Sequence, residues 1–191
     1  MTDYISTKKL NLDLQEIKKS CEEIYKIVLS NFDHAERSYQ GRSTETTQLF
    51  NNYNLLMYPF PQFWNLYQEI KTMFREISKD TDQCYIQCWL NYYQKGDYID
   101  WHDHWSPEAK SYHGFFCVDT EPSKTTYRIP NVVGEVDVES KDNLLVMSRS
   151  NGDLHRTWEW PYDRPRITIA FDIVPSVSID PLESLNHWIP I

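Results

Sequence analysis

The sequence predicts a mainly β fold, an antiparallel sandwich or barrel, preceded by N-terminal helices, and three observations carry that class. From about residue 84 at least seven short runs rich in aromatic and β-branched residues follow one another, with turn residues between them and no helical run. Before residue 80 the apolar residues instead recur at steps of three and four. The chain also holds seven Trp, 13 Tyr and eight Phe, which suit a sheet protein built around a partly apolar pocket.

The elements follow in order. Leu14, Ile17, Cys21, Ile24 and Val28 make one helical stripe over 13–30, with Asp13 at its N-cap. Phe63, Leu66, Ile70, Met73, Phe74 and Ile77 make a second, punctuated at its start by Pro59 and Pro61. Between them, residues 33–58 are polar and aperiodic, a long loop that could cover a site. Strands are expected over 84–93, 98–105, 112–119, 125–129, 132–138, 143–147 and 166–174, broken by Gly96, Pro122, Pro130, Gly134, Gly152 and Pro165. The expectation is one domain over 1–191: a helical flank (1–80) packed on one outer sheet face, a strand core (84–175) and a C-terminal tail (176–191).

At 191 residues such a domain buries roughly 70% of its unfolded surface. Nineteen basic against 28 acidic residues give net −9 and a pI near 5.1, which argues against duplex nucleic acid as a partner. Cys21, Cys84, Cys88 and Cys117 form no CxxC pair and read as reduced, buried thiols of an intracellular protein. No run approaches eighteen apolar residues and mean hydropathy is −0.63, so no membrane span and a cytoplasmic location are expected.

The chemistry concentrates in Trp101-His102-Asp103-His104-Trp105, answered by Gly152-x-x-His155 and by Arg166-x-Thr168. On a strand over 98–105, alternation puts Asp100, His102 and His104 on one face, so the two histidines can share an ion that His155 completes. Imidazole suits Fe, Zn, Ni and Cu alike, so ligand type does not name the metal. His34, His113 and His187 lack paired spacing and read as ordinary, although His113 lies close enough in sequence to reach the pocket.

These residues resemble a family. Asn91-x-Tyr93-x-x-Gly96, His102-x-His104, His155 and Arg166-x-Thr168 are similar to the 2-oxoglutarate and Fe(II)-dependent oxygenases, in particular their small phage and bacterial members. The likeness covers about residues 85–175 and implies a double-stranded β-helix, a jelly roll of the cupin-like kind, with iron at its mouth. It implies that His102 and His155 bind Fe(II), that Arg166 and Thr168 hold the distal carboxylate of 2-oxoglutarate, and that Asn91 and Tyr93 stand where some members also bind this cosubstrate. A guanidinium suits that task, because it bonds a carboxylate in a bidentate, charge-assisted fork. The phage likeness would place a phage-encoded protein in its host's cytoplasm.

Most of the family have His-x-Asp where this chain has His-x-His. His104 is then the third ligand by alternation, with Asp103 the alternative if the strand is distorted. A rival cupin reading takes Gly96-x5-His102-x-His104-x3-Glu108 as its first motif and makes Glu108 a ligand without 2-oxoglutarate. Its second motif is incomplete, with Ser150 for the expected Pro and Glu159 for the expected Asn. A non-catalytic jelly-roll binding module is the third reading. On the first, the enzyme uses Fe(II), 2-oxoglutarate and O2, releases succinate and CO2, and hydroxylates a small molecule or a peptidyl side chain. Trp101, Trp105, Trp158, Trp160 and Tyr127 are candidates for the substrate mouth or for core packing, and Arg128, Arg149 and Arg156 for an anionic substrate or for solvent.

Overall fold

The computed structural model describes residues 4–29, 46–49, 53–78, 82–179 and 187–191. The helical stripes fold as their spacing predicts. α1 (Leu14–Ile24) starts at Asp13, whose carboxylate accepts from the backbone N–H of Gln15 and Glu16, and continues as a π-helical turn through Leu29. α2 (Pro61–Ile77) starts two residues before its first predicted apolar residue, since Pro61 at the first helical turn has no N–H to leave unsatisfied. Of the loop over 33–58, Thr46 bridges to Asn91 and 3-10 turns form at Thr47–Leu49 and Leu55–Met57; residues 33–45 and 50–52 lie outside the described residues.

Among the described residues ten strands follow or flank the helices: β1 (Ile5–Lys9), β2 (Cys84–Tyr93), β3 (Ile99–His102), β4 (Tyr112–Asp119), β5 (Ser123–Arg128), β6 (Val136–Ser140), β7 (Leu144–Arg149), β8 (Leu154–Thr157), β9 (Arg166–Pro175) and β10 (Ile189–Pro190). They make a six-stranded sheet of order β1-β7-β4-β9-β2-β10 and a four-stranded sheet of order β3-β8-β5-β6, with every pairing antiparallel. From β2 to β9 each strand lies in the sheet opposite to the one before it, except at the β5–β6 hairpin within the four-stranded sheet, and this winding is the double-stranded β-helix.

On the six-stranded sheet alternation separates two faces. Ile86, Cys88 and Leu90 of β2, Phe116 of β4 and Ile169 and Phe171 of β9 join Ile17, Cys21 and Ile24 of α1 and Phe63, Leu66 and Ile70 of α2 in one buried cluster. Gly114 of β4 belongs there because of a close approach: a Cβ would lie 2.2 Å from the Val146 carbonyl oxygen and 2.5 Å from the Phe171 ring. The other face brings polar rows into register. Tyr93 lies opposite Arg166, Asn91 opposite Thr168, and Asp172 between Gln87 and His113.

Three expectations needed correction. The strand over 98–105 ends at His102, with a register irregularity between Ile99 and His102, and Trp105 adopts a left-handed φ of 52°. Asp100 therefore points to solvent instead of sharing the face of His102. The strand over 132–138 begins only at Val136, because Asn131 (φ 65°) and Gly134 (φ 89°) turn the chain first. β1, β8 and β10 went unpredicted: they are short or polar, and backbone pairing to β7, β3 and β5, and β2 defines them rather than side-chain alternation.

Candidate metal centre and anion pocket

The four-stranded sheet puts His102 opposite His155, and His155 opposite Tyr127. His104, just past β3, turns back toward them. Ring centroids are 4.2 Å apart for His102 and His155, 5.1 Å for His104 and His155, and 5.3 Å for His102 and His104. One ligating nitrogen of each lies within 4.8 Å of the others. His113 joins from the facing sheet, its ring 4.7 Å from both His104 and His155, and with Asp153 and His155 it forms a second such group.

Hydrogen bonds fix which nitrogens face the cluster. The Nδ1–H of His102 donates to the Asp100 carbonyl at 2.8 Å, and that of His104 donates to the Asp172 carboxylate at 2.7 Å, so each keeps the lone pair of Nε2. His113 uses Nε2 on Asp153 at 2.9 Å, and Ser148 donates to the same carboxylate. Nδ1 of His155 is buried with no partner among the described residues.

Burial, then repulsion from His104, lowers His102 to about 4. Burial and the neighbouring histidines hold His155 well below its ordinary value too. Both imidazoles are therefore uncharged at pH 7. Burial also opposes charge on His104, but the Asp172 carboxylate outweighs it and its pKa is raised. Neutral, converging imidazoles with a buried unpartnered nitrogen fit a first-row divalent ion such as Fe(II).

The same pocket is lined by Trp89, Asn91, Tyr93, Phe115, Arg166 and Thr168 beside the four histidines. Arg166 is 2% exposed. Its Nε donates to Ser123 Oγ at 3.0 Å and its guanidinium lies 5.3 Å from the Tyr93 ring, yet no carboxylate of a described residue pairs with it. Burial lowers its pKa, and an uncompensated buried charge costs several kcal/mol. Asn91 Nδ2 reaches Thr168 Oγ1 at 3.5 Å, while Asn91 Oδ1 is buried without a partner among the described residues. This end of the pocket fits an anion with polar oxygens.

Other candidates lie elsewhere. Asp103 is exposed, and Glu108 is exposed on a 3-10 turn (Pro107–Ala109) outside the pocket lining, so the cupin ligand set is not brought together. Trp101 and Trp158 stack with Arg156, and Arg128 with Trp101, on the sheet's other side. Arg149 donates to the Tyr112 hydroxyl. Trp160 is buried, Trp105 donates to Asp172, and Tyr127 stacks on His155, so none of the five aromatic candidates lines the pocket. Trp89, Asp153 and Asp172 were missed, and His113, read as ordinary though near enough in sequence to reach the pocket, lines it. Steps of two from Arg166 through Thr168 and Ala170 lead to Asp172, so that signal was present in the sequence.

No family model matches the sequence, and no curated protein matches it. Solved structures do match. A prolyl hydroxylase from Trichoplax adhaerens, in complex with a hypoxia inducible factor oxygen degradation domain peptide fragment, superposes with TM-score 0.70 at 12% identity over 94% of this chain and 89% of that one. This chain has its fold. The viral collagen prolyl hydroxylase from Paramecium Bursaria Chlorella virus-1, a 2OG complex, gives TM-score 0.62 at 12% identity over 90% and 96%. The non-heme alpha ketoglutarate dependent epimerase SnoN from nogalamycin biosynthesis gives 0.65 at 11% identity over 99% and 88%. No helix among the described residues is long and apolar enough to cross a membrane.

Proposed function

We propose that the protein is a non-haem Fe(II) and 2-oxoglutarate-dependent oxygenase that hydroxylates a small molecule or a peptidyl side chain, releasing succinate and CO2. The observation that carries this reading is the buried guanidinium of Arg166, without a carboxylate partner among described residues, in the pocket that also holds His102, His104 and His155. A dicarboxylate with an oxo group at one end suits that pair of features, one end for each. The matched folds, a hydroxylase in complex with a peptide, a hydroxylase in a 2OG complex and an alpha ketoglutarate dependent epimerase, support the same class.

In this reading His102, His104 and His155 hold the iron, which when bound supplies O2 activation coupled to oxidative decarboxylation of 2-oxoglutarate. Arg166 binds the distal carboxylate through its fork, Thr168 donates a hydroxyl hydrogen bond to it, and Asn91 and Tyr93 border the same anion. Trp89 and Phe115 exclude water from the pocket wall.

Anaerobic addition of Fe(II) and 2-oxoglutarate to the metal-free protein tests this. A visible charge-transfer band, and succinate release once air is admitted, are expected. Protein that binds Fe(II) but neither develops the band at millimolar 2-oxoglutarate nor releases succinate overturns the reading.

A further inference from the structure

Both oxygens of the Asp172 carboxylate are engaged by consecutive residues of the segment after β3. His104 Nδ1 donates to Oδ1 at 2.7 Å, and Trp105 Nε1 donates to Oδ2 at 3.0 Å. Trp105 reaches this position with a left-handed φ of 52°, a conformation that costs a residue with a Cβ roughly 1 kcal/mol or more. The turn therefore holds its strain while aiming two side chains at one anion. Asp172 is 8% exposed and no lysine or arginine pairs with it among the described residues. Its register partners are Gln87 and His113, and His113 gives its Nε2 to Asp153 instead.

We propose that Asp172 is a positioning residue for the metal centre, holding His104 as the third ligand and supplying through it the negative charge that the three imidazoles lack. This rests on the functional reading above. Three neutral imidazoles leave both charges of Fe(II) uncompensated in a buried site, whereas a carboxylate that accepts from the outer nitrogen strengthens the inner one as a donor and fixes its tautomer. The bond between His104 and Asp172 also runs from the segment after β3 to β9 of the other sheet, so the ligand's orientation is tied to the strand that carries Arg166.

Metal titration with Fe(II), and with Co(II) as a visible probe, decides the matter. Asp172→Asn should bind both ions 10- to 100-fold more weakly than the wild type and alter the Co(II) absorption, while its circular dichroism is unchanged. His104→Asp places two carboxylates side by side and should also bind weakly. Combining His104→Asp with Asp172→Asn removes the repulsion and should recover at least tenfold over His104→Asp alone, a rescue that a merely structural Asp172 does not give. If Asp172→Asn does not fold, the double variant against His104→Asp alone carries the test. Equal Fe(II) affinity in wild type and Asp172→Asn overturns the inference while leaving the oxygenase reading intact. Loss of metal in Asp172→Asn but not in His104→Ala also overturns it, since Asp172 would then be the ligand itself. Wild-type protein that binds Fe(II) without responding to 2-oxoglutarate overturns the functional reading and leaves the metal titrations to stand for Asp172 alone.

Discussion

Arg166 Nε donates to Ser123 Oγ at 3.0 Å, a bond between β9 of one sheet and β5 of the other that holds a buried guanidinium in place without neutralising it. Arg166→Ala should therefore remove 2-oxoglutarate turnover, costing about 2–5 kcal/mol of binding or roughly 30-fold or more in affinity, while Fe(II) stays bound. Arg166→Lys should restore part of it, since an ammonium cannot form the fork. Succinate release and Fe(II) stoichiometry measured side by side check this. Full turnover by Arg166→Ala would contradict it.

Ser123 should matter less. Ser123→Ala leaves the charge and removes one neutral-to-charged hydrogen bond, worth about 1.5–3 kcal/mol at most. A raised KM for 2-oxoglutarate with nearly unchanged kcat is expected from steady-state kinetics.

The ligand histidines should be separable from the nearby acids. His102→Ala or His155→Ala should lose metal in elemental analysis, and His104→Ala should weaken binding more than Asp103→Ala or Glu108→Ala, whose side chains are exposed. Retention of a full equivalent by both His102→Ala and His155→Ala would remove the site.

The metal-free protein should lose stability as the pH falls below about 6.5. His102 titrates near 4 in the folded state, held down by burial and by His104, so the unfolded chain takes up a proton that the folded chain refuses between those values. His155, burial-lowered among His102, His104 and His113, acts in the same direction. His104, raised by Asp172, acts in the opposite one: its contribution is full at low pH and fades as the pH rises through its folded value. With two groups lowered and one raised, urea midpoints in EDTA should be lower at pH 5 than at pH 7, His102 alone accounting for on the order of 2 kcal/mol of unfolding free energy, of which His104 returns part. Equal midpoints would contradict these shifts.

Gly114→Ala tests the packing that sets the pocket's spacing. Its Cβ would stand 2.2 Å from a backbone oxygen of β7, which cannot swing aside, so β4 and β7 must part. A loss of about 3 kcal/mol is expected, with a thermal midpoint lower by roughly 10 °C or more. An unchanged midpoint would mean that the strands sit farther apart.

Periodicity alone determined a great deal about this chain. The helical stripes of Ile17 and Phe63, the long strands over 84–93, 112–119 and 166–174, and the antiparallel sandwich-or-barrel class were legible, because each is a local pattern repeated over many residues. His102, His104 and His155 could be singled out by spacing, and Arg166 with Thr168 by their shared strand face. What spacing could not decide is anything that depends on the partner strand. The four residues of β8 become a strand only because β3 and β5 supply its backbone hydrogen bonds, and His155 meets His102 through that pairing. The end of β3 at His102 meant that His104 reaches the cluster through a turn and its bond to Asp172, not through the alternation that first suggested it. Asp172, Asp153, His113 and Ser123 are 40 to 68 residues distant in sequence from the groups they position, and proximity of that kind is a product of register between sheets, which a linear pattern does not contain.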